Sequence, residues 1–115
     1  MTLTLTQKDF ETTVSADGIV IVDCWADWCM PCKRFAPVFE AAAAANPDVV
    51  FGKVDTEAEQ ELAAALQIQA IPTILAFRDG VMVFRQAGAL SSAQLDELIT
   101  QVQALDMDEV RSEQA

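Results

Sequence analysis

The chain contains no histidine. That absence excludes every Cys–His or Ser–His nucleophile pair. It also leaves the chain without a Cys/His metal set, since one Cys-x-x-Cys without a second pair is a poor structural zinc site. No metal ligands are expected. Cysteines number three, and an odd count argues against a fully paired disulfide scaffold. Glycine and proline are scarce at four each, which argues against a repeat array or a low-complexity chain. Basic residues are few as well. Seven Lys and Arg stand against 18 Asp and Glu, a formal net charge of −11. Such a surface repels nucleic-acid backbones and anionic membranes, so neither is expected as a partner. No apolar run approaches the roughly 20 residues that a membrane helix needs. Met1 to Phe10 carries Gln7, Lys8 and Asp9 where a signal peptide would have its apolar run. Lipidation signals are absent too. The expected location is cytoplasmic.

What is present is a globule. Apolar residues make up 52% of the 115, enough for one hydrophobic core. Residues 1–105 read as one domain, a monomer by default. Residues 106–115 read as an acidic tail or helix extension.

The pattern alternates strand and helix. Leu3 to Leu5 suits a short strand, and Thr6 to Ala16 a short helix capped by Thr6 with Asp9. Ile19 to Ala26 opens with four apolar β-branched residues, as in a strand buried on both faces at the middle of a sheet. Pro31 to Ala45 reads as a helix with Phe35, Phe39 and Ala42 at helical spacing, kinked at Pro37. Val49 to Asp55 is a second strand. Glu57 to Leu66 is a helix with Thr56 and Glu59 in capping-box spacing. Thr73 to Phe77 and Val81 to Phe84 flank Asp79-Gly80, a hairpin signal. Ser91 with Gln94 caps a last helix whose apolar face carries Leu95, Leu98, Ile99 and Val102. The order β-α-β-α-β-α-β-β-α implies an α/β fold. Its central mixed sheet is flanked by helices, mainly parallel with one antiparallel hairpin pair.

Trp28-Cys29-Met30-Pro31-Cys32-Lys33 follows the buried strand and opens a helix. Disulfide exchange needs a thiolate. The free N–H groups and the positive end of a helix dipole favour one at Cys29. Pro31 suits the first turn, because its missing N–H has no partner to lose. Lys33 and Arg34 add positive charge nearby, and Cys32, one turn on, is expected to be more buried. Cys29 would attack a target disulfide and Cys32 would resolve the mixed disulfide. Asp23 ends the central strand beneath the helix start. A partly buried carboxylate there could accept the proton that Cys32 loses. The plainer alternatives are two buried structural thiols for the cysteine pair and, for Asp23, a carboxylate that only caps or pairs, with Lys53 as a candidate partner.

The run from Val22 to Lys33, Val-Asp-Cys-Trp-Ala-Asp-Trp-Cys-Met-Pro-Cys-Lys, resembles the thioredoxin signature. Ala70-Ile71-Pro72-Thr73 resembles that family's cis-proline segment, and Phe77-Arg78-Asp79-Gly80 its hairpin. Ala87-Gly88-Ala89-Leu90 is similar to its second substrate loop. Pro37 matches the kink proline and Lys53 the lysine near the buried aspartate. The likeness runs in order from about Leu3 to about Leu105.

The resemblance implies the thioredoxin fold and reduction of protein disulfides through Cys29 and Cys32, with Asp23 and Lys53 at the same site. It implies a cis Pro72 and an Ile71 backbone that pairs with an extended target. Trp28, Met30, Pro31, Ile71, Pro72, Gly88 and Ala89 would form the docking surface. Thioredoxin reductase, an NADPH-dependent flavoprotein, would supply electrons in trans, and the chain would need no bound cofactor. Two residues depart from the family. Met30 replaces the usual glycine, where a change of about 30 mV corresponds to about 1.4 kcal/mol of redox balance. Cys24 replaces an aromatic residue and points to the sheet face opposite Asp23, where it reads as core packing. Two alternatives remain: a more oxidising disulfide donor or isomerase, and a partner-binding module with secondary redox chemistry.

Overall fold

The computed structural model describes residues 1–114. Its elements are β1 (Leu3–Thr4), α1 (Phe10–Val14), β2 (Ile19–Trp25), α2 (Met30–Ala45) and β3 (Val50–Asp55). They continue with α3 (Gln60–Ala65), β4 (Thr73–Arg78), β5 (Val81–Ala87), α4 (Ser92–Ala104) and α5 (Met107–Gln114). One five-stranded sheet has the order β1-β3-β2-β4-β5, with the apolar β2 at its centre.

The sheet is less parallel than the alternation suggests. β1 and β2 run parallel to β3, but β4 is antiparallel to both β2 and β5. The reason lies in the β3–α3–β4 connection. Trp25 pairs with Asp55 at the end of β3, and Cys24 pairs with Thr73 at the start of β4, so the chain re-enters the sheet at the edge it left. A six-residue α3 is about 9 Å long by helical rise. It cannot carry the chain back along a strand of about 20 Å.

Alternation along β2 splits the core. Ile21 faces a cluster with Phe35 and Phe39 of α2, Phe51, Ile74, and Leu95, Leu98, Ile99 and Val102 of α4. Val20, Val22 and Cys24 face the other layer with Leu5, Phe10, Val14, Val54, Leu62, Leu75 and Phe77. Helices α2 and α4 thus cover one face, and α1 and α3 the other. By the same alternation Asp23 lies on the α2 side.

Several boundaries differ from the sequence reading. Helix α1 begins at Phe10 rather than Thr6, because the Asp9 carboxylate accepts from the Thr6 backbone N–H at 2.7 Å and closes a turn first. Helix α3 begins at Gln60, not Glu57. The Thr56 hydroxyl is taken by the Trp25 carbonyl at 3.0 Å. The Asp55 carboxylate instead accepts from the Glu57 and Ala58 N–H groups. The Ser91–Gln94 capping box forms as expected. At Asp79-Gly80 both residues have positive φ, 53° and 83°, as a two-residue hairpin turn with the right strand twist requires.

The C-terminal segment forms its own helix. The Arg78 guanidinium donates to the carbonyls of Val102, Gln103 and Leu105 at 2.7, 3.0 and 2.9 Å, closing the end of α4. After that break α5 folds back with Met107 buried, and Arg111 lies 3.8 Å from the Asp79 carboxylate.

Candidate active site

β2 delivers the chain to the edge of the sheet, and α2 starts five residues later. The segment between is held down by the fully buried Ala26, whose carbonyl accepts from the Cys29 N–H at 3.2 Å. Cys29 is the N-cap of α2 in an extended conformation, with Pro31 in the first turn. Its sulfur accepts from the Cys32 backbone N–H at 3.2 Å. Cys29 and Cys32 form a disulfide, with Cα atoms 5.2 Å apart. Both are buried, at 3% and 2% exposure, with Cys32 the slightly more buried of the two and only Cys29 lining the adjacent groove. Lys33 is 4.0 Å from Asp27, so part of the expected positive charge is neutralised on the surface.

Beside the disulfide the Ile71–Pro72 peptide is cis. The Ile71 carbonyl oxygen lies 3.8 Å from Cys29 Sγ. The Pro72 carbonyl accepts from the Gly88 N–H at 2.8 Å, which ties the Gly88-Ala89 loop to the proline. Gly88 has φ of 102°, a conformation that favours glycine. Gly88 and Ala89 are exposed. Trp28 and Met30 stand out from the surface at 68% and 59% exposure, unusual for large apolar side chains.

A groove of about 740 Å³ opens on Cys29. Trp28, Met30 and Pro31 line one side. The other is α3 with its flanks: Thr56, Glu57, Gln60, Ala63, Ala64, Ile68, Gln69, Ala70 and Ile71. Sequence reasoning missed this α3 wall, although alanines 63 and 64 beside Ile68 form an apolar stretch that could have suggested it. Pro72, Gly88 and Ala89 are not part of the groove lining; Gly88 and Ala89 are exposed, but Pro72 is buried and, contrary to expectation, offers little surface for docking.

Asp23 is completely buried, and neither carboxylate oxygen has a hydrogen-bond partner. Burial pushes its pKa up from 3.8 to about 7, with Lys53 pulling down and Glu40 pushing up. Lys53 sits opposite Asp23 in the strand register. Its ammonium, however, lies 3.9 Å from Glu40 and 5.1 Å from the centre of the Trp25 ring. The alternative of an Asp23–Lys53 ion pair therefore fails, because Glu40 takes the ammonium. Glu40 was not legible as a site residue; it lies on α2, 13 positions before Lys53. Cys24 is buried on the opposite face, and burial, reinforced by the charge of Asp23, pushes its thiol up to about 12. Among the described residues, no helix is long and apolar enough to cross a membrane. No cluster of three potential metal ligands occurs there either.

Comparison with known proteins gives a consistent answer. The thioredoxin family model matches residues 1–101. The chain is 56% identical over 110 residues to a putative thioredoxin 2 of Streptomyces coelicolor, covering 96% of this chain and 82% of that protein. It is 41% identical to thioredoxin C-3 of Corynebacterium nephridii, covering 84% of this chain and 68% of that protein. The crystal structure of Malassezia sympodialis thioredoxin superposes with a TM-score of 0.80 at 33% identity, covering 90% of this chain and 94% of that one. The chain therefore belongs to the thioredoxin family of protein-disulfide oxidoreductases, which exchange a Cys-x-x-Cys dithiol with disulfide-containing targets and are returned to the dithiol by a reductase.

Proposed function

We propose that this chain is a cytoplasmic reductant of protein disulfides in which Cys29 attacks, Cys32 resolves and Asp23 accepts the proton of Cys32. In the first step the Cys29 thiolate attacks one sulfur of a target disulfide. A Cys29–target bond forms, the target disulfide breaks, and its second sulfur leaves as a thiolate and is protonated. In the second step Asp23 takes the Cys32 proton. The Cys32 thiolate attacks Cys29 Sγ, the reduced target departs, and the Cys29–Cys32 disulfide remains. Two electrons from NADPH, carried by a flavoprotein thioredoxin reductase, restore the dithiol.

The observation that carries this reading is the capping of α2 by the Cys29 sulfur. A backbone N–H aimed at that sulfur, at the positive end of a helix, favours negative charge there. The buried, unpartnered Asp23 supports the second step. A carboxylic acid with a midpoint about 7 can both accept and return a proton at neutral pH. Lys53 tempers that midpoint from the side. Trp28, Met30 and Pro31 offer an apolar contact to the target, and the Ile71 backbone offers a strand-like pairing edge. Gly88 and Ala89, held by the carbonyl of the buried Pro72, extend the docking surface. Residues 1–105 carry the redox activity and 106–115 are an appendage to it.

The equilibrium potential of the Cys29–Cys32 pair, read in a glutathione buffer, tests the direction of electron flow. A value at or below the cytosolic glutathione poise, with turnover by NADPH and a flavoprotein reductase, supports a reductase. A clearly more oxidising value overturns it in favour of disulfide donation, with Met30 as the first residue to revert to glycine.

A further inference from the structure

Lys53 faces two carboxylates and pairs with one. Its ammonium is 3.9 Å from Glu40 of α2, while Asp23, its register partner on β2, takes part in no ion pair or hydrogen bond. Glu40 is fixed from its other side, because the Thr2 hydroxyl is within 3.0 and 3.2 Å of its two oxygens. The ammonium also lies over the Trp25 ring, 5.1 Å from its centre. Thr2, Glu40, Lys53 and Trp25 thus form a chain of contacts running past the buried acid.

We infer that Glu40 is a positioning residue of the exchange reaction: it draws the Lys53 ammonium to itself and so leaves the Asp23 carboxylate without a close counter-ion. The inference rests on the reading of Asp23 as proton acceptor. Its physical content is a competition. An opposite charge close to a carboxylate lowers its midpoint by about 1–3 units. If Lys53 paired directly with Asp23, the acid would be ionised well below neutrality and would be a weak base toward a thiol. Glu40 prevents this in two ways of the same sign. It holds the ammonium, and its own negative charge disfavours ionisation of Asp23. The half-exposed position of Glu40 puts this control outside the site, where a substitution leaves the cysteines untouched.

The other groups around Asp23 do not compete for this role. β3 contributes Lys53 and α2 contributes Glu40, the two charged groups that act on Asp23. β4 presents the uncharged Ile74 at the register position, and Cys24 lies on the far face.

The test uses the full chain with Glu40→Gln, alone and combined with Lys53→Met. Carboxyl carbon NMR of the reduced protein reads the Asp23 midpoint directly. Glu40→Gln is expected to lower it by about half a unit to one unit, a three- to tenfold loss of proton affinity. In the Lys53→Met background the same substitution is expected to do less than half as much, since no ammonium is left to release. An unchanged midpoint in Glu40→Gln overturns the inference, and so does an equal shift in both backgrounds. The pH profile of mixed-disulfide resolution is the second readout. If the carboxyl midpoint moves and that profile follows, both the inference and the Asp23 assignment stand. If the midpoint moves and the profile does not, the control by Glu40 stands for the acid, and the assignment of Asp23 as acceptor is what fails.

Discussion

The backbone N–H of Cys32 donates to the sulfur of Cys29 at 3.2 Å, so one cysteine of the pair caps the helix that carries the other. A thiolate at that sulfur meets the free end of α2, whereas one at Cys32 would lie inside the first turn. In the proposed mechanism this asymmetry makes Cys29 the thiol that reacts first.

In the reduced protein, iodoacetamide at neutral pH is expected to modify Cys29 at least roughly tenfold faster than Cys32, following the thiolate fraction. Cys24 is expected to stay unmodified until the chain unfolds, because burial holds its thiol up to about 12. Peptide mapping by mass checks the order. Equal labelling of Cys29 and Cys32 would contradict it.

Asp23 makes stability depend on pH. Its folded midpoint is raised, from 3.8 to about 7. Between those values the folded state holds a proton that the unfolded chain has lost. Its contribution is thus fully present below pH 3.8 and is lost as pH rises to about 7. The full loss is about 4 kcal/mol at 1.36 kcal/mol per unit. Asp23→Asn is therefore expected to gain more stability at pH 8 than at pH 5, by urea melts at both. The same variant is expected to slow mixed-disulfide resolution by roughly 10- to 100-fold at neutral pH. A stability gain that is the same at both pH values would contradict the assigned midpoint.

Arg78 joins the hairpin to the end of α4 through three carbonyls, Val102, Gln103 and Leu105. Arg78→Met removes charged hydrogen bonds worth about 1.5–3 kcal/mol each at most, and less in sum because they share one donor. A loss of about 2 kcal/mol in urea melts is expected, with the reduction potential unchanged. A shifted potential would mean that this end of the molecule communicates with the disulfide.

Elements with their own local signals were legible in the sequence. The apolar run Ile19 to Val22 marked the central strand, and Asp79-Gly80 marked its hairpin, because each signal acts on adjacent residues. The Ser91–Gln94 box formed, with both reciprocal bonds present within the same turn. The matching pattern at Thr56 and Glu59 did not form, since the Trp25 carbonyl, 31 residues away, took the Thr56 hydroxyl. The same limit hid Glu40, Arg78 and the α3 wall of the groove. Each is defined by groups brought close only by the fold. The cysteine pair was legible through its place between strand and helix; the absence of any partner for Asp23 was not.

Met30 contributes exposed apolar surface to the groove beside Cys29. Met30→Gly is expected to raise KM for a protein disulfide about threefold to tenfold, the loss of roughly 1 kcal/mol of contact. The rate with a small aromatic disulfide is expected to change less. Steady-state kinetics with both substrates separates docking from chemistry, and an equal effect on both would assign Met30 to the chemistry instead.

The most direct test of the exchange mechanism is to trap its intermediate. Cys32→Ser and Cys29→Ser variants, each reduced, are mixed with a protein disulfide and resolved on a non-reducing gel with mass mapping. The account predicts a stable mixed disulfide through Cys29 in Cys32→Ser and none in Cys29→Ser. A mixed disulfide through Cys32 or Cys24, or target reduction that survives in Cys29→Ser, would contradict it.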